Sequence, residues 1–477
     1  MRTFRSILLL GAGAMTLSAC VSGPNYARPT TPPSAEQGFL GSTSPAVTAD
    51  PVQGDWWRLY QDPVLDRLVA DALTANTDLR VAMANLERAR ALLRETRNDR
   101  LPQTSVDLGA QYGRTPEGQR PPGAQREDWS FDAGLSISYE LDLAGRVRRS
   151  IEASRADVGE AQAAADAVRV SIAAETTRAY ADASSAAERI GVAERTLGLL
   201  DQTVVLAEKR FQAGRTSRLD VARVQTLRDQ QRATIPPLRA QRDAALFRLA
   251  FLTGRPPADL PAEVGQRVAT LRLQSPLPVG DGRALLARRP DVRQAERRLA
   301  AETARIGVAT AELYPQITLG GSAGSTGNAL GDMFGAGPLR WIAGPLVSWA
   351  FPNMSGGRAR VAQAEASAQA ALASFDGAVL LALQETETAL SVYAQALERR
   401  QALAAASEQA RTAARITRAQ LREGRVDSLV VLDAERTLAG AEADLAQSNA
   451  AVAEAQIDLF RALGGGWQEA RGASGSQ

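Results

Sequence analysis

Histidine is missing from the 477 residues, cysteine occurs once at Cys20, and lysine occurs once at Lys209. Without histidine there is no imidazole base, no Ser-His-Asp triad and no imidazole metal ligand. A lone cysteine leaves no disulfide within the chain and no thiolate zinc cluster. With its one lysine far from any matching glycines, the chain cannot build a GxxxxGK[ST] phosphate loop, so the glycine-rich GGSAGSTGNALGD (Gly320–Asp332) is read as a loop capping two strands. Net charge is only +2, and the arginines alternate with acids, a pattern unlike a nucleic-acid surface. Paired carboxylates could still support glycosidase-type chemistry, but no such pair stands out. The expectation is a protein that is not an enzyme and holds no metal or cofactor.

What is present begins with MRTFRSILLLGAGAMTLSAC. Arg2 and Arg5 precede an apolar run and small residues, the layout of a secretory signal peptide over residues 1–19. Leu17 and a small residue before Cys20 resemble the bacterial lipobox, in which the cysteine becomes the lipidated first residue; an ordinary buried cysteine is the alternative. Val21 stands where an inner-membrane retention signal places Asp, which points to the outer membrane. The following VSGPNYARPTTPPSAEQGFLGSTSPAVTADP reads as an extended tether.

Past the tether the chain repeats itself. Pro102 and Pro315 stand 213 apart, Arg146 and Arg358 stand 212 apart, and Gly214 and Gly424 stand 210 apart, each pair inside similar surroundings. LFRLAFLTG (Leu246–Gly254) recurs as LFRALGG. A tandem duplication of about 210 residues follows, far longer than any solenoid period. The organisation expected is a signal peptide (1–19), a lipidated linker (20–54), a first repeat (55–254), a connector (255–288), a second repeat (289–463) and a tail (464–477).

Each repeat carries two strands. In WSFDAGLSISYELD, Trp129, Phe131, Ala133, Leu135, Ile137, Tyr139 and Leu141 alternate with Ser, Asp, Gly and Glu, a period of two. The strand pairs are placed at 103–113 with 129–142, and at 315–325 with 339–351. Strands of about ten residues with one apolar face suit a membrane-spanning barrel, although a half-buried soluble sheet alternates in the same way. Trp129, Tyr139, Trp341 and Trp349 are candidates for interfacial aromatics.

Long helices follow the strands, in hairpins over 146–254 and 356–463. Arg146–Gln212 has no proline and three glycines; Arg358–Arg422 has no proline and one glycine. About 65 helical residues extend roughly 100 Å. Val431, Leu438, Leu445, Val452 and Leu459 recur every seven residues, with small side chains three positions on, a coiled-coil seam. Pro236–Pro237 must break the corresponding helix of the first repeat.

Four membrane strands cannot close a barrel, and an open sheet edge is not tolerated in lipid, so the chain must oligomerise. Two copies give eight strands and three give twelve. DWWRLYQDPVLDRLVADALTANTDLRVA (Asp55–Ala82), the duplicated strand-pair and hairpin units and the tip SLVVLDAER together resemble TolC-like outer-membrane efflux channels, in their lipoprotein, NodT-type branch. The resemblance implies an α+β membrane protein: a homotrimer whose twelve-stranded barrel, four strands per chain, continues into a long periplasmic helical barrel. It also implies a periplasmic adaptor, an inner-membrane pump and export of small molecules without chemistry. A protein-secretion channel and a non-conducting envelope coiled coil are the alternatives.

Leu429, Asp433 and Arg436 fall at i, i+4 and i+7 on one helical stripe. Read alone, Asp433 and Arg436 also suit a solvated i,i+3 pair. The resemblance assigns these three residues to a periplasmic gate, with Asp433 repeated as an acidic ring. Arg215, Arg218, Arg422 and Arg425 flank the hairpin turns and are candidates for adaptor docking, or plain surface charges. Mass spectrometry of the mature N-terminus is expected to find acyl chains on Cys20; a bare N-terminus contradicts the lipidation reading.

Overall fold

The computed structural model describes residues 22–465 apart from 53, 120, 121, 123, 124, 274 and 335–338, and leaves aside the side chains of 43, 332 and 428. Cys20, the signal segment and the tail beyond 465 lie outside the described residues. In chain order the regular elements are β1 (Val47–Thr48), α1 (Pro63–Ala75), α2 (Thr77–Asn98), β2 (Gln103–Arg114), β3 (Glu127–Leu141), α3 (Arg146–Gln212), α4 (Arg218–Ala233), α5 (Ile235–Leu252), β4 (Leu277–Pro278), α6 (Gly282–Arg288), α7 (Pro290–Ala311), β5 (Gln316–Gly327), β6 (Leu339–Ser348), α8 (Ser355–Arg422) and α9 (Ser428–Ala462). They fall into two compact units, each drawing on both halves of the chain.

The first unit comprises residues up to Pro29, Asn85–Gln162 and Gln294–Asp376. Its centre is an antiparallel sheet in the order β2-β3-β5-β6. Register sorts the side chains by face. Val106 stands opposite Leu135, Leu135 opposite Ala323, and Ala323 opposite Trp341, one apolar row crossing four strands. On the other face Gly109 meets Asp132, and Asp132 meets Thr326. Thr326 Oγ1 donates to Asp132 Oδ2 at 2.8 Å and Arg340 Nη2 to Asp132 Oδ1 at 3.0 Å, so this face is cross-linked by polar groups. β2 and β6 are exposed along their whole lengths, with Leu108 79% and Trp341 75% accessible. Both are edge strands whose outward backbone groups have no partner in the sheet.

Two expectations are corrected here. Most of the glycine-rich segment is strand and not loop, because β5 continues to Gly327. Its glycines sit where neighbouring backbones crowd: a Cβ on Gly324 would lie 2.7 Å from Ala133 O, and one on Gly321 3.4 Å from Ile342 O. The expected tether is also laid onto the protein. Arg149 Nε donates to Ser22 O at 3.0 Å, and its Nη2 to Asn25 Oδ1 at 2.7 Å. Arg149 lies over Gly307, where any Cβ would strike its side chain at 2.7 Å.

The second unit comprises Thr30–Ala84, Ala163–Arg293 and the chain from Gly377 onward. Here the tether continues to bind. The amides of Leu40 and Gly41 donate to the two Glu387 oxygens at 2.7 and 3.1 Å, and β1 pairs in parallel with β4. Trp56 is fully buried and stacks on Phe460, with centroids 4.6 Å apart. Asp62 caps α1 by accepting from the amides of Val64 and Leu65. Its second oxygen accepts from Tyr180 Oη at 3.0 Å and Arg267 Nη1 at 2.7 Å, so one carboxylate ties the cap to α3 and to the connector.

The long helices reflect their composition. α3 and α8 run 67 and 68 residues. Val431, Leu438, Val452 and Leu459 are buried and Leu445 is half-buried, so the heptad seam of α9 is a packed one. Pro236 and Pro237 occupy the first turn of α5, where their missing amide donors cost no helical hydrogen bond. The break at Thr234 is the result. Arg288 Nε and Arg289 Nη1 donate to Leu463 O and Ala462 O, placing cations at the negative end of α9.

Asp182 on α3 faces Glu454 on α9. Burial, reinforced by the Glu454 carboxylate, pushes the Asp182 carboxyl up to about 6 against the opposing pull of Arg178 and Arg248. A carboxyl raised on folding binds its proton more tightly folded than unfolded, so its penalty is present near neutral pH and relieved as the pH falls through about 6. Asp182→Asn is therefore expected to raise the thermal midpoint at about pH 7.5, with the gain shrinking at about pH 4.5. Circular dichroism melts at both pH values check the sign. Trp56→Ala, which empties a stacked core position, is expected to cost about 3–5 kcal/mol and to lower the midpoint in the same assay.

Candidate functional site

The two long helices α3 and α8 end in the same way. Gly214 has φ +70° and Gly424 has φ +73°, left-handed conformations in which glycine is the favoured residue. Arg215 N donates to Arg210 O at 2.8 Å, and Arg425 N to Gln420 O at 2.8 Å, the six-to-one bond of a Schellman turn. Among the described residues no atom lies within 4 Å of a Cβ built on either glycine, so conformation and not crowding selects them. The return helix α4 then starts on a capping box: Ser217 Oγ accepts from Asp220 N, and Asp220 Oδ2 accepts from Ser217 N. Asp427 is the N-cap of α9.

Arg215, Arg218, Arg422 and Arg425 are all exposed around these turns. Arg425 Nε lies 3.0 Å from Glu423 Oε2. The hairpins are pinned a little further along. Gln225 Nε2 donates to Glu208 Oε1 at 3.0 Å between α4 and α3, and Arg418 makes a two-pronged pair with the buried Glu435 between α8 and α9, its Nη2 lying 3.0 Å from Glu435 Oε2. This pair holds the tip of the second hairpin in one geometry.

Leu429, Asp433 and Arg436 are exposed and line one cleft of about 370 Å³. Among the described residues neither Asp433 nor Arg436 forms an ion pair, so the local i,i+3 pair does not form within this chain. The main-chain oxygen of Asp433 accepts instead from Thr437 Oγ1 at 2.9 Å. The opposite wall of the cleft is α4, through Arg223, Thr226, Leu227 and Gln230. Sequence reasoning missed these four. They form an i, i+3, i+4, i+7 stripe, the same signal that marked α9, but one that gives no hint of which helix it faces.

The aromatic candidates lie on or beside the sheet. Trp129 packs on Tyr112 with centroids 5.5 Å apart and on Phe131 at 5.8 Å. Trp349 stacks on Phe351 at 4.8 Å and donates through Nε1 to Leu313 O at 3.0 Å. Tyr139 is half-buried near the end of β3, and Trp341 projects from the exposed β6. Among the described residues no group of three or more acidic or cysteine side chains is arranged to hold a metal ion.

The sequence profile of the family described as outer membrane efflux protein matches residues 68–255 and 282–465. Outer membrane protein OprJ of Pseudomonas aeruginosa is 32% identical over 96% of this chain and 95% of its own length. The probable outer membrane lipoprotein SilC of Salmonella typhimurium is 29% identical over 98% of this chain and 100% of its own. The solved structure of the outer-membrane channel OprN matches with a TM-score of 0.87 and 37% identity, covering 94% of this chain and 100% of that one. With the profile matched in both halves and the fold shared over 94% of its length, the chain belongs to the outer membrane efflux protein family and is an outer-membrane channel protein, not an enzyme.

Proposed function

We propose that the chain forms the outer-membrane exit duct of a tripartite efflux system, as a homotrimer gated at the helical tips. The observation that carries the reading is the pair of open edges. β2 and β6 leave the sheet unfinished at both sides, and no bilayer-embedded sheet keeps a free edge. Three copies joined β2 to β6 give twelve strands, enough for a water-filled passage. The polar face carrying Asp132, Thr326 and Arg340 then lines the passage, and the apolar face with its aromatics meets outer-membrane lipid. An 18-residue stretch of α8 with mean hydropathy 1.4 is only 22% buried within one chain, a second surface suited to a neighbouring copy.

The tandem duplication fits this reading, since the family profile matches once in each half. A lipid on Cys20 fits it as well: SilC is described as an outer membrane lipoprotein, and Ser22 N donates to Ala144 O, a few residues past the end of β3, so the pinned segment starts beside the sheet. The adaptor and the pump engage the hairpin turns, where Arg215, Arg218, Arg422 and Arg425 present cations on two exposed turns. Leu429, Asp433 and Arg436 form the gate, with Leu429 as an apolar constriction.

The gate is tested by single-channel recording in planar bilayers. Replacing Asp433 and Arg436 by alanine is expected to raise the conductance of the purified channel several-fold. An unchanged conductance, with trimer and helix content intact, overturns the gate.

A further inference from the structure

We propose that Arg223 is the counter-charge of Asp433 in the gate and that the two together set the ion selectivity of the constriction. The proposal rests on the gate reading above and adds to it a residue on the other return helix. Arg223 and Asp433 line the same cleft from opposite walls, α4 and α9.

The repeat makes the two residues equivalent. The spacing of 210 that relates Gly214 to Gly424 also relates Leu219 to Leu429, Val221 to Val431 and Arg223 to Asp433. The structure preserves the equivalence in its packing: Val221 and Val431 are 0% and 1% exposed, while Leu219 and Leu429 are 57% and 50% exposed. Each return helix therefore buries the same valine in its hairpin and turns the same leucine outward. One turn beyond that leucine the first repeat carries a cation and the second an anion.

Among the described residues neither charge has a close ionic partner. Arg223 Nη1 comes no nearer a carboxylate than 3.9 Å from Asp220, whose other oxygen already accepts from Thr216 Oγ1, Ser217 N and Ser217 Oγ. Asp433 forms no ion pair among the described residues. The conserved geometry of the two hairpins would place Arg223 and Asp433 alternately around a ring built from several chains. Each aspartate then has an arginine to either side, and their mutual attraction draws the return helices together.

The alternation changes the electrical character of the constriction. An acidic ring of Asp433 alone favours cations. Arg223 cancels that charge, and Arg436 adds one positive charge per chain in the same cleft, so the closed constriction favours anions.

The test uses the full-length channel in planar bilayers under a tenfold potassium chloride gradient. Arg223→Gln is expected to move the reversal potential toward cations. Arg223→Asp, which faces Asp433 with a like charge, is expected to raise conductance, and Arg223→Asp combined with Asp433→Arg is expected to return it to the wild-type level. Size-exclusion chromatography and circular dichroism confirm that each variant assembles. If the double alanine variant at Asp433 and Arg436 opens the channel while both Arg223 variants leave reversal potential and conductance unchanged, the role of Arg223 is overturned and the gate stands. If the double alanine variant is also without effect, the gate reading itself has failed.

Discussion

A β-sheet in hydrocarbon cannot leave backbone amides and carbonyls unpaired, and this chain carries a sheet with two such edges. Each orphaned group costs several kcal/mol away from water, so a four-strand sheet is not a stable membrane structure by itself. In the proposed assembly other chains complete the sheet, and completion fixes the rest. It makes the apolar face an outer surface, the polar face an inner one, and the start of each long helix a point on a ring.

Long helices follow both strand pairs, and their composition suits their length. Continuous runs free of proline give length, while small residues along α9 let neighbours approach closely. Two glycine turns with matched φ values end α3 and α8. The charges there are of two kinds. Arg418 and Glu435 are committed to each other and define the hairpin, whereas among the described residues Asp433 and Arg436 form no ion pair and Arg223 has only a long contact of 3.9 Å to Asp220. Groups of the first kind give a fixed scaffold; groups of the second kind are free to report on neighbours.

Much of this was legible in the sequence because it rests on periodicity. The alternation from Trp129 to Leu141 has one solution on a pleated strand, and the heptads of α9 have one on a helix. Three features escaped because they depend on what packs across from them. Gly320, Gly321 and Gly324 read as loop residues, yet they are strand residues whose missing side chains make room for adjacent backbones. The proline-rich segment after Cys20 reads as a tether, but Arg149 and Glu387, far along the chain, hold it down. Arg223 has no local signature; its meaning comes from the helix it faces.

The central claim is that copies of this chain close one another's sheets, and the mass of the intact assembly tests it most directly. Native mass spectrometry of the channel released from gentle detergent is predicted to give a species three times the mass of one chain. A stable monomer, or a dimer with eight strands, would contradict the account.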